Sequence, residues 1–228
     1  MKFLRFILGI ISSFSLMFIA LVTSIEIAAY SDFSFYEKEY KKYAVTAFVD
    51  ISMPDLMDVT VDMMHYLNGT KDTLTDVKAT IKDVPDIPFF NEREVKHMKD
   101  VRNLFVGASR IRSILIAVII LCIISEKLLK GKISSFISNV FVYGTLLSLA
   151  VAGILVFFVS GDFEKYFILF HRIFFTNDLW MLDPTTDNLI NIVPEGFFVD
   201  MTQRILIIFS SIIIFTVGFG TVIKKGFK

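Results

Sequence analysis

The stretch RIRSILIAVIILCIISEKLLKGKISSFISNVFVYGTLLSLAVAGILVFFV, residues 110–159, decides the fold class of this chain. It holds two long apolar runs, and Lys127, Lys130 and Lys132 are gathered in the few residues that join them. A helix needs roughly 20 apolar residues to cross a hydrocarbon core about 30 Å thick. Working outward, the same length criterion selects residues 3–25 before this stretch and 205–223 after it. A chain of 228 residues that is 54% hydrophobic, with a mean hydropathy of +0.65, has more apolar surface than a soluble domain can hide. The pattern predicts an all-α membrane protein. Transmembrane helices are expected at 1–29, 110–130, 135–160 and 203–224, and a mostly helical extracytoplasmic cap at 30–109 and 161–202.

The net charge is zero, but the charges are sorted along the chain. Lys2 and Arg5 precede the first run, the three lysines above separate the second from the third, and Lys224, Lys225 and Lys228 follow the fourth. Short basic flanks stay on the cytoplasmic side. The longer connections, 30–109 and 160–202, carry 14 and 7 Asp/Glu against 10 and 2 Lys/Arg. Both termini are therefore expected inside and both large loops outside. Residues 3–25 share the basic start of a signal peptide. However, the run is longer than an h-region of about 7–15 residues, and SIEIAAYSDF (24–33) offers no small-x-small cleavage site, so the segment is expected to be kept. Cys122 is the lone cysteine, so no disulfide is available, and its apolar setting marks it as packing.

Within the first loop, SMPDLMDVTVDMMHYLNG (52–69) reads as a helix, with Pro54 in its first turn and Gly69 just past its end. TLTDVKATI (73–81) fits a short strand or a helix equally well. In NEREVKHMKDVRNLF (91–105), Asn91 and Glu94 have the spacing of a capping box. Val95, Met98, Val101, Leu104 and Phe105 then fall on one face. His97 lies about 50° from the middle of that stripe, with Asp100 and Arg93 beside it on the polar side. This helix, 91–106, is expected to lie along the membrane surface, with a bend near Gly107 before the second span.

The second loop repeats the arrangement. DFEKYFILFHRIFF (162–175) puts Phe163, Tyr166, Phe167, Phe170, Ile173 and Phe174 on one face, with His171 at its edge and Lys165 and Arg172 pointing away. Asp183 precedes Pro184 as an expected helix N-cap. Phenylalanine is abundant, with 25 in the chain. Phe157, Phe158, Phe163, Phe167, Phe170, Phe174, Phe175, Phe197 and Phe198, with Tyr166 and Trp180, form either an interfacial belt or a wall for acyl chains around the histidines.

His65, in the last turn before Gly69, reads as a partner for the helix dipole. His97 and His171 stand out as an acid–base pair, with Asp100 one turn from His97 and placed to orient it. There is no G-x-S-x-G, no H-E-x-x-H, no phosphate-cradling glycine loop and no basic aromatic platform for nucleic acid. An enzyme built from this inventory takes its nucleophile from the substrate or from water. The competing chemistry is a metallohydrolase whose metal would be held by His97, Asp100, His171 and one of Asp178, Asp183 or Asp187. A non-catalytic membrane subunit is the third reading. Arg93, Arg110, Arg112 and Arg204, near the outer boundary, suit either lipid binding or interfacial snorkelling.

Two blocks, FFNEREVKHMKDVRNLF (89–105) and FHRIFFTNDLWMLDPTTDNLINIVPEGFF (170–198), resemble the signature segments of the bacterial lipoprotein intramolecular transacylase family, in a clostridial-type branch. The resemblance implies transfer of the sn-2 acyl chain of a diacylglyceryl-cysteine to that cysteine's α-amino group. It places His97 and His171 as the catalytic pair, and Asp100, Arg93, Trp180, Asp183 and Asp187 are expected beside them in support. Phe105, Tyr166, Phe167, Phe170, Phe174, Phe175, Phe197 and Phe198 would then line the acyl and substrate pocket. The implied partners are diacylglyceryl-modified lipoproteins and membrane lipid. No cofactor, metal or nucleic acid is called for, and a monomer of the bacterial cytoplasmic membrane is expected.

Overall fold

The computed structural model describes residues 2–159 and 161–226, with the side chains of Phe158, Val159, Thr221 and 223–226 left out. Phe158, Lys224, Lys225 and Lys228, which figure in the sequence reading, are thus outside the described side chains. In chain order the elements are α1 (Lys2–Tyr30), α2 (Ser34–Lys42), α3 (Val45–Val49), α4 (Met53–Leu67), β1 (Lys78–Ile81), β2 (Val84–Pro88), α5 (Glu92–Leu128), α6 (Ile133–Val159), α7 (Phe163–Phe174), α8 (Asn188–Ile192) and α9 (Glu195–Gly226). Four of these, α1, α5, α6 and α9, are long and apolar enough to cross a membrane. The chain divides into an apolar unit, Met1–Ala28, Ala108–Phe158 and Gln203–Lys228, and a polar unit, Ala29–Gly107 and Val159–Thr202.

Small residues let the helices of the apolar unit come close. A β-carbon on Gly144 would meet Leu16 at 3.0 Å, and one on Gly220 would meet Phe141 at 2.9 Å. Ala20, Phe209 and Ile213 pack with Val151 and Ala152, which joins α1, α6 and α9. Cys122 packs with Phe136 and Val140 between α5 and α6. Ser13, Ser15 and Ser24 on α1 donate to carbonyls four residues back, and Ser13 also reaches the Val140 carbonyl of α6 at 3.4 Å. Charges close the ends of the unit: Arg112 pairs with Glu26, and Arg5 with Glu126 at 3.6 Å.

The polar unit has its own core. Tyr36, Tyr40, Leu56, Val59, Met63, Phe89 and Phe197 are buried together, and Tyr40 shares a 2.7 Å hydrogen bond with Thr60. Helix α4 begins and ends where the sequence says: Ser52 accepts from the Asp55 amide, Pro54 sits in the first turn, and Gly69 turns the chain at a φ of 87°. The ambiguous segment 73–81 contributes a strand. β1 pairs antiparallel with β2, and Lys82 and Asp83 at positive φ make the turn between them.

Three expectations need correction. The separate helices expected at 91–106 and 110–130 are one uninterrupted helix, α5, and the chain has no break at Gly107. One glycine costs a helix interior only about 1 kcal/mol, and no proline interrupts the ladder, so good helix formers on both sides carry the helix through. The fourth long helix starts at Glu195 rather than 203, because the EGFF segment is also helix-compatible once Pro194 has opened the turn. Asp183 does not cap a helix. Its carboxylate accepts from the amide and hydroxyl of Thr185 in a single turn, Pro184–Thr186, and α8 begins only at Asn188.

Candidate active site

The capping box predicted at Asn91 is formed, and it reaches further than a cap. The Asn91 side chain accepts from the Glu94 amide at 3.0 Å, and the Asn91 amide donates to Glu94 Oε2 at 2.6 Å. Glu94 is fully buried, and its other oxygen accepts from the Leu189 amide at 2.6 Å. Asn91 Nδ2 donates to Asp187 Oδ1 at 2.6 Å, and Asp187 Oδ2 accepts from the Asp183 amide at 2.7 Å. The start of α5 is thereby fastened to the segment 183–189, almost 100 residues away in sequence. Burial pushes Glu94 above its ordinary value, with the Asp187 charge adding to the rise and the amide donors opposing it.

His97 on α5 and His171 on α7 lie side by side. Both are buried, at 6% and 7% exposure, and their ring centroids lie 6.0 Å apart. His171 Nδ1 is 2.8 Å from the Phe167 carbonyl oxygen. A carbonyl only accepts, so Nδ1 carries the proton and Nε2 keeps its lone pair. His97 Nδ1 is buried with no hydrogen-bond partner. Burial pushes His97 down to about 4, His171 and Arg93 push it the same way, and Asp100 opposes them. His171 is also lowered by burial, against the support of the Phe167 carbonyl. Both rings belong to the polar unit, outside the long apolar runs.

The aromatic shell sorts the candidate pocket residues. Phe167 lies 4.0 Å from His171, Trp180 stacks on it at 4.8 Å, and Phe170 and Phe175 each stand at 5.4 Å. Phe175 also meets His97 edge-on at 5.4 Å. Phe198 packs on Phe163 and Phe167, and Phe174 touches Phe170 while staying half exposed. Tyr166 lies under the Lys165 ammonium, one turn before Phe170 on α7. Phe105 and Phe197 are elsewhere. Phe105 packs on Tyr30, and Phe197 fills the core with Tyr36 and Tyr40.

The supporting residues divide as well. Asp100 makes no hydrogen bond to His97; its Oδ2 accepts from Asn177 Nδ2 at 2.9 Å. Arg93 donates to the Asp178 carbonyl. Asp183 and Asp187 serve the backbone and Asn91 rather than the histidines. Among the described residues no three His, Cys, Asp or Glu side chains converge as metal ligands. Sequence reasoning missed Asn177 and the long reach of Glu94. The Asn91–Glu94 spacing signals only the local half of the latter.

The comparisons with known proteins bear on this site. The model of the family described as lipoprotein intramolecular transacylase Lit matches residues 10–198. No match is found among the curated proteins. Among solved structures, the membrane integral lipoprotein intramolecular transacylase Lit from Bacillus cereus is similar at a TM-score of 0.81 and 20% identity, covering 99% of this chain and 98% of that one. A form of the same Bacillus cereus protein with one histidine replaced by arginine is similar at a TM-score of 0.78 and 19% identity, covering 99% and 94%. The form with alanine there gives 0.76 at 19% identity, covering 99% and 96%.

Proposed function

This chain belongs to the lipoprotein intramolecular transacylase family, and on that premise we propose that it moves the sn-2 acyl chain of a diacylglyceryl-modified N-terminal cysteine to that cysteine's own α-amino group, leaving a lyso-form lipoprotein. The observation that carries the mechanism is the buried pair His97 and His171, 6.0 Å apart, with the tautomer of one ring set by a backbone carbonyl.

The α-amino group of the substrate has an ordinary pKa of about 7.7–8.0, so at neutral pH it must first lose one proton to water, and a second, taken by His171, as the C–N bond forms. Its nitrogen then attacks the ester carbonyl. The new C–N bond forms, the C–O bond to the glyceryl oxygen breaks, and that oxygen leaves with a proton. His171 suits the base, because Nε2 holds a lone pair while Nδ1–H stays bonded to the Phe167 carbonyl, which also supports the imidazolium once formed. The same ring returns the proton to the glyceryl oxygen. His97, kept neutral by burial, suits an N–H donor to the oxyanion of the tetrahedral intermediate.

Amine and ester start far apart on the lipid, so holding them together is the larger part of the barrier. Phe167, Phe170, Phe175 and Trp180 give the histidines apolar surroundings, which supports an acyl chain lying beside the rings. The basic flanks of the apolar helices support cytoplasmic termini, with the histidines on the outer side of the membrane. The substrate would be lipoproteins with membrane lipid as surroundings, the enzyme acting as a monomer without a cofactor.

Mass spectrometry of lipoprotein N-termini tests the proposal. His97→Ala and His171→Ala, each present in the membrane at normal levels, are expected to abolish the lyso-form, with turnover down by about 10²–10⁴-fold for each. Undiminished lyso-form from either variant would sink the two-histidine mechanism.

A further inference from the structure

Between α7 and α8 the chain runs through Asn177, Asp178, Leu179 and Trp180, a loop with no regular structure of its own. It is tied to α5 twice. Asn177 Nδ2 donates to Asp100 Oδ2 at 2.9 Å, and Arg93 donates to the carbonyl of Asp178. Arg93 and Asp100 are seven residues apart on α5, about two turns, so they lie on one face with His97 between them. Inside the loop, the Leu179 amide donates to Asn177 Oδ1 and the Met181 amide to the Asp178 carbonyl, so the two ties fix the course of the chain as far as Trp180. The indole then stacks on His171, with ring centroids 4.8 Å apart and planes 29° apart.

We propose that residues 177–180 form a strap fastened to α5 on either side of His97, and that Arg93, Asp100 and Asn177 are positioning residues that hold Trp180 face-on to His171, fixing the plane of that ring and keeping water from it. Asp100 therefore acts through Asn177, not by orienting His97. The effect on turnover rests on the transacylase reading above, whereas the geometry of the strap does not. The charged and titratable groups facing the histidine pair all come from α5, namely His97, Asp100 and Arg93. The rings that α7 and the loop bring to His171 are neutral.

Trp180 is the one tryptophan of the chain, so indole fluorescence reports on the surroundings of this ring, His171 among them. A protonated imidazole quenches indole emission more strongly than a neutral one, and a pH titration of the full-length protein in detergent reads His171 directly. In the wild type the midpoint lies below 6.5, as burial dictates. Asn177→Ala is expected to shift the emission to the red and raise the midpoint toward 6.5. It should also lower kcat about 10- to 100-fold with little change in KM, the penalty of a ring displaced by a fraction of an ångström to an ångström. Asn177→Asp, which keeps the shape but places a carboxylate against Asp100, should do the same, and Asn177 is exposed, so neither change threatens the fold. Asp100→Asn keeps an oxygen for Asn177 and should restore what Asp100→Ala loses.

Wild-type emission, midpoint and kcat in both Asn177 variants would overturn the strap. So would an Asp100→Asn variant as impaired as Asp100→Ala beside an unaffected Asn177→Ala, since Asp100 would then act by charge on His97. Released emission with unchanged turnover overturns the positioning role. Strap-dependent emission in a wild-type protein that makes no lyso-form instead separates a failure of the transacylase reading from a failure of the strap.

Discussion

A histidine at 6% exposure with its Nδ1 unpartnered is expensive to protonate, and this has consequences for stability as well as catalysis. His97 titrates at about 4 in the folded chain against an ordinary 6.5. Between those values the unfolded chain binds the proton and the folded chain does not, so stability falls as pH drops through that window. The integrated effect is of order 3 kcal/mol. Thermal unfolding of the polar unit is expected to move to lower temperature from pH 6.5 to pH 4, and His97→Gln should flatten that dependence. The raised Glu94 works in the opposite sense: its contribution is present at low pH and fades as pH rises above the ordinary carboxylate range. Its larger role is geometric. Glu94→Ala would strand the buried amide of Leu189 and uncap Asn91, at a cost of about 1–3 kcal/mol. A Glu94→Ala variant with wild-type melting behaviour would show that the carboxylate does not join the two segments.

Helix α5 shows how far periodicity carries and where it stops. The apolar stripe of 91–105 and the long run beyond it are both legible in sequence, because each is a local pattern along one element. Gly107 and the arginines around it suggested a break, yet the ladder runs through. Whether a glycine interrupts a helix depends on what competes for its carbonyls and amides, and the residue string does not show that. The same limit separates local signals from long-range ones. Ser52, Pro54 and Gly69 bound α4 by local chemistry alone. The strand over 78–81 is settled by its partner β2, the Asp100–Asn177 bond spans 77 residues, and Phe105 and Phe197 turn toward Tyr30 and Tyr36 instead of the histidines. His97 and His171 were findable because each sits at the edge of its own amphipathic helix. A β-carbon on Gly107 would meet nothing within 4 Å. Gly107→Ala is therefore expected to stabilise the protein by about 0.5–1 kcal/mol, read as a higher Tm in detergent, with transacylase activity retained. A loss of activity with raised stability would mean that α5 must flex at that residue.

For the whole chain the sorted charges make the sharpest prediction. Lys127, Lys130 and Lys132 lie between α5 and α6, while the acidic connections hold all three histidines. Positive flanks resist translocation, so the α5–α6 turn should face the cytoplasm, and the segments carrying α4, β1, β2, α7 and α8 should face outward. Cys122 is the lone cysteine and is buried against Phe136 and Val140, so a Cys122→Ser background gives a chain without thiols at little cost in packing. Single cysteines in that background at Lys78, Glu164 and Lys132, all exposed positions, then report sidedness one loop at a time. In intact cells a membrane-impermeant maleimide is expected to label Lys78→Cys and Glu164→Cys and to leave Lys132→Cys unmodified until the membrane is opened. The reverse pattern would put both histidines on the cytoplasmic face, out of reach of a translocated lipoprotein, and would remove the proposed reaction together with the orientation.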